Sequence, residues 1–91
     1  MTITYDEKTK IGLINLMLEK SKSAIRLKVA RVGCGKPAID LYPEDKKDGD
    51  IVYENDGISF IVDEDEKKYV WDLEIKYNPE VYNSGFYVRV V

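Results

Sequence analysis

The hydrophobic period of this chain changes once, near Ser23, and that change limits the folds open to it. From Tyr5 to about Lys20 the residues favour a helix. Ile11, Leu13, Ile14, Leu16, Met17 and Leu18 spread over an arc of roughly 220° at about 100° per residue, with Gly12, Asn15 and Glu19 opposite. So wide an apolar arc implies burial on more than one side, in part against another subunit. Thr4 followed by Glu7 fits a capping box at the helix start. Lys20-Ser21-Lys22-Ser23 ends it, with both lysines near the negative end of the helix.

Beyond Ser23 the apolar residues recur at every second position. Ile25, Leu27 and Val29 alternate with Arg26 and Lys28, which is the pattern of a half-buried strand. Gly33-Cys34-Gly35-Lys36-Pro37 is a loop, because two glycines and a proline propagate neither helix nor strand cheaply. Ala38–Tyr42 resumes as a strand, and the charged stretch from Pro43 to Asp50 is a polar connection. Ile51–Glu54 and Ile58–Val62 flank Asn55-Asp56-Gly57, a strong hairpin signal with Gly57 at positive φ. Asp63 and Glu66 mark a short helical insert running to Tyr69. Leu73, Ile75 and Tyr77 alternate again, as do Phe86, Val88 and Val90. One helix followed by a mostly antiparallel β unit is the expected layout.

The 91 residues suffice for a single domain, 1–91, and 44% apolar with 34% charged residues is an ordinary globular balance. Fourteen basic against 17 acidic residues leave a net charge of −3 without a basic stripe, which argues against a nucleic-acid partner. The amino terminus lacks the basic-then-apolar order of a secretory signal, and no stretch nears the ~20 apolar residues of a membrane span. A cytoplasmic protein is therefore expected. One cysteine and no histidine exclude an intramolecular disulfide, a Cys/His zinc site within one chain and the histidine-based hydrolase triads. No enzyme is expected.

Cys34 is the one side chain with soft-metal or nucleophilic chemistry. Gly33 and Gly35 let the backbone turn tightly around it and let a ligand or a second chain come close. Arg31 and Lys36 are near enough in sequence to favour a thiolate, if they point towards the sulfur. The competing reading is a small buried hydrophobe. Two acidic groups, Glu44/Asp45/Asp48/Asp50 and Asp63/Glu64/Asp65/Glu66, lack the spacing of a calcium loop and read as a solvated loop and a helix start. The strand tyrosines read as packing residues, and Trp71 as a core edge.

The ordered set of motifs resembles the HesB-like family, the iron–sulfur biogenesis domain of A-type carriers of the IscA and SufA kind. Ile3-Thr4 with its helix resembles the family's opening segment, and Ile25–Val29 leading into Gly33-Cys34-Gly35 resembles its first cysteine loop. Asp56-Gly57-Ile58 with Phe60-Ile61-Val62-Asp63 is similar to the family's hairpin. Leu73–Tyr77 and Ser84-Gly85-Phe86 resemble its late strand and turn. The resemblance implies a compact mainly-β (α+β) sandwich or pseudo-barrel, with one amino-terminal helix and a short helical insert. The family's Cys-x-Cys tail does not follow Phe86 in these residues, so the resemblance is to a short variant in which Cys34 alone carries over as metal ligand, flanked by Gly33 and Gly35. The family usually has Cys-Ser-Gly where Gly35-Lys36-Pro37 follows here.

Three functions compete. The first is a non-enzymatic protein of iron–sulfur cluster assembly or iron handling, its cluster or iron shared between subunits of a homo-oligomer or with an assembly or acceptor protein. The second is a thiol-redox protein using Cys34. The third is a degenerate family member that binds a partner without a cofactor.

Overall fold

The computed structural model describes residues 1–33, 35–82 and 85–91. Cys34, and Ser84 of the Ser84-Gly85-Phe86 turn, lie outside the described residues. The order of elements is β1 (Ile3–Thr4), α1 (Glu7–Lys20), β2 (Ile25–Arg31), β3 (Ala38–Pro43), β4 (Asp50–Asn55), β5 (Ile58–Asp63), a 3₁₀ helix (Glu64–Tyr69), β6 (Leu73–Tyr77) and β7 (Phe86–Val90).

The helix starts two residues later than the apolar pattern implies. Its cap is Asp6, whose carboxylate accepts from the Thr9 amide at 2.8 Å, rather than Thr4. Thr4 is committed elsewhere: it lies in β1, aligned with Glu74 of β6 in a parallel ladder. At the other end Ser21 takes the left-handed conformation (φ 55°), and the Lys22 amide donates to the Met17 carbonyl at 2.9 Å. That bond closes the last turn and satisfies one of its orphan carbonyls.

The apolar arc is not buried all round. Thr9, Gly12 and Leu13 are the buried residues of α1, while Ile11 and Leu18 are 52% and 71% exposed. Gly12, which the helical wheel sets on the polar side, is the point of closest approach to the strands. A Cβ there would stand 3.2 Å from the rings of Tyr77 and Phe86. Bare backbone lets the helix sit down on these two aromatics, whose centroids are 4.6 Å apart.

Among the described residues seven strands form two sheets, ordered β1-β6-β7 and β3-β2-β5-β4. The β4–β5 hairpin has the expected register, Asn55 opposite Ile58, closed by Asp56 and Gly57 at φ 51° and 82°. Positive φ at both turn residues is the type I′ geometry that matches strand twist. β2 with β3, and β6 with β7, are also antiparallel. Two short pairings are parallel, β1 with β6 and β2 with β5, so both sheets are mixed, while the three longer ladders are antiparallel as expected. Phe60, Ile61 and Val62 are consecutive and all buried, because β5 is an interior strand covered on both faces. With Leu13, Ile25, Leu27, Leu73 and Ile75 they form the centre of the molecule. Trp71 lies outside this core, 58% exposed, its indole N–H donating to the Lys68 carbonyl at 3.1 Å.

Candidate functional site

The loop at 32–37 leaves the sheet through an irregularity. β2 and β3 pair regularly up to Val29 opposite Ile39, then slip so that Arg31 faces Ala38. A bulge of this kind bends and re-aims a strand end. The bend has a specific anchor. Glu66 of the 3₁₀ helix accepts from the Val29 amide at 2.9 Å and forms an ion pair with Lys28. That contact holds the Lys28 ammonium above its usual range. Beyond residue 26, β2 has no ladder partner on β5, and the Glu66 carboxylate supplies one. The sequence offered no sign of this, since Glu66 lies 37 residues from Val29 and reads as part of a helix start.

Past the bulge, Val32, Gly33, Gly35 and Lys36 are all exposed. Gly35 has φ 109°, a conformation that L side chains rarely adopt. Around the Cβ positions of Gly33 and Gly35 nothing lies within 4 Å. Both flanks of Cys34 thus present bare backbone to open space.

The first acidic group has a structural use. Arg26, only 5% exposed, forks its guanidinium onto Asp50 through two bonds of 2.6 Å, and its Nε donates to Glu44 at 3.2 Å. Lys47 pairs with Glu44, and its amide donates to Asp50 at 2.8 Å. The Arg26 guanidinium holds the Asp50 carboxyl below the ordinary carboxylate range, while Lys47, and then Arg26, does the same for Glu44. Asp45 accepts from the amide and hydroxyl of Ser23 at 2.9 Å each. The connection from 44 to 50 is therefore latched onto β2 by neutralised carboxylates. Among the described residues no three carboxylates converge on a point that could hold a metal ion.

Several concavities flank the sheets, two of them relevant here. A cleft of about 820 Å³ runs along β3 and β7, from Arg31 and Lys36 at the loop to Tyr42, with Tyr87 and Arg89 on the β7 side. A second, of about 670 Å³, lies between α1 and the strands, lined by Lys8, Ile11, Leu16, Tyr77, Pro79 and Phe86.

This architecture has known relatives. The family model described as iron–sulphur cluster biosynthesis matches residues 1–89. The chain belongs to that family. The iron-binding protein IscA of Serratia proteamaculans (strain 568) is 32% identical over 88 residues, covering 94% of this chain and 82% of that protein. Solved folds agree. Escherichia coli SufA, involved in biosynthesis of iron–sulfur clusters, superposes with a TM-score of 0.65 at 19% identity, over 85% of this chain and 69% of that one. A crystal structure of IscA with the [2Fe–2S] cluster gives 0.65 at 14%, over 97% and 82%. A solution structure from Aquifex aeolicus gives 0.66 at 23%, over 100% and 93%. The HesB-like fold, mainly β with one amino-terminal helix and a short helical insert, is thus the fold of this family member. No helix among its described residues is long and apolar enough to cross a membrane.

Proposed function

We propose that this protein takes part in iron–sulfur cluster assembly without itself being an enzyme, handling iron or a cluster as cargo, with Cys34 as its thiolate ligand and Gly33 and Gly35 as the backbone that gives the cargo access. Family membership supports the role. The observation that carries the site is the open space around both glycines on an exposed loop. A thiolate is the donor that iron–sulfur chemistry uses, and a cluster normally takes four of them. The 91 residues here supply one, and two copies of them in a homo-oligomer supply two. The remaining positions then belong to an assembly or acceptor protein or to small thiols, which fits passing a cluster on better than storing it. Its place of action is the cytoplasm.

Anaerobic incubation with ferrous iron and sulfide tests this. The wild-type chain is expected to elute from a desalting column with iron and with sulfur-to-iron absorption in the visible, and Cys34→Ser to elute colourless. Equal uptake by both, or uptake by neither, contradicts the proposal.

A further inference from the structure

The cleft along β3 and β7 carries a charge opposite to that of the molecule. The chain as a whole is at −3, yet the cleft holds Arg31, Lys36 and Arg89 against one carboxylate, Asp40, three positive less one negative, or +2. Arg31 and Lys36 are exposed and form no ion pair among the described residues, while Arg89 reaches Glu74 only at 3.5 Å. Two tyrosines stand among these cations, Tyr42 at 39% and Tyr87 at 45% exposure. The Tyr87 ring is held by stacking on Tyr82 at 5.3 Å. Tyrosine and arginine are the residue types that dominate binding energy at protein interfaces, and pre-ordered rings lose little entropy on contact.

Both walls are also strand edges. Among the described residues β3 ends one sheet and β7 ends the other, each with a neighbouring strand in its sheet on one side. Side chains alternate along them, with Ile39 and Val90 turned inward and Asp40, Tyr42, Tyr87 and Arg89 outward. An unpaired edge accepts an extended peptide as an added strand, and the outward side chains then select its sequence. The reach from residue 38 to 42 is about 14 Å, the length of about five residues of extended chain end to end.

We infer that this cleft docks an extended acidic segment of a partner protein, which adds to an open edge and sets its carboxylates against Arg31, Lys36 and Arg89. Because the net charge of the chain repels acidic peptides, attraction to one must be local. The inference goes beyond the role of Cys34 and does not require that a cluster be bound.

Fluorescence anisotropy with the full chain at low salt tests it, using a labelled ten-residue peptide that alternates glutamate with valine and a second with lysine in place of glutamate. The acidic peptide is expected to bind and the basic one not to bind. Raising the salt to physiological strength should weaken binding several-fold, as for exposed charge pairs. Arg31→Glu with Lys36→Glu should weaken it at least about tenfold. Lys67→Glu with Lys68→Glu, the same change of net charge on the exposed 3₁₀ helix, should leave affinity within about twofold of wild type. All four positions are exposed, so the variants should fold, which thermal melts verify. Failure of the wild type to bind the acidic peptide, or equal losses in the two double variants, overturns the inference. An N-methylated acidic peptide that binds as well as its parent overturns strand addition.

Discussion

Arg26 lies on β2 between the core residues Ile25 and Leu27, with its guanidinium largely out of water and hydrogen-bonded through all three nitrogens to carboxylates. Truncation to alanine would leave Asp50, whose side chain is 4% exposed, without its counter-charge. Breaking one half of a buried pair costs about 3–5 kcal/mol, so Arg26→Ala should lower the urea midpoint accordingly at neutral pH. The pH dependence has a defined sign. A carboxylate whose native pKa is depressed contributes stability that is present above its unfolded value and lost as pH falls through its native one. Stability should thus hold from neutrality to about pH 5 and decline below about pH 4, with a shallower acid limb in Asp50→Asn. Little of this was legible in the sequence. Strand alternation puts Arg26 on the solvent face, and its partners Glu44 and Asp50 are 18 and 24 residues distant. Cys34 and its glycines were legible, because residue type alone picks out a lone thiol between flexible neighbours.

At the scale of single elements, α1 and the end of β2 show what patterning resolves and what it misses. The helix was readable to within two residues at its start, but its cap was not, because Thr4 is claimed by a strand 69 residues away. Nor was its buried face, since an average over apolar residues gives no weight to Gly12. A bulky residue there must displace Tyr77 or Phe86. Gly12→Leu should destabilise by about 1–3 kcal/mol, as overpacking does, despite the better helix propensity of leucine. Differential scanning calorimetry measures it. Glu66→Ala removes the acceptor of the Val29 amide at the bulge. Hydrogen exchange should then speed up at Val29 while Leu27, deeper in the sheet, keeps its protection. The loss in stability should be about 1–3 kcal/mol, the cost of an orphaned amide.

Over the whole molecule, the order of motifs carried the fold while the pairing of strands stayed hidden. The Asp56-Gly57 hairpin could be read because its turn chemistry is local. The parallel pairs β1–β6 and β2–β5 join segments with long intervening chain, and alternation is the same whichever neighbour a strand takes. The same separation hid the cleft, whose cations come from β2, the 32–37 loop and β7. Exposed glycines at the proposed site, beside a basic cleft on an acidic body, suit the proposed sharing of cargo with a partner. Native mass spectrometry of the anaerobically reconstituted protein tests that most directly, by counting iron, sulfide, chains and added thiols in each intact particle. The account predicts that every iron-bearing particle contains two or more chains, or chain plus non-chain thiol, and that none forms with Cys34→Ser. A cluster held by one chain with no added thiol, or carried equally by the serine variant, would contradict it.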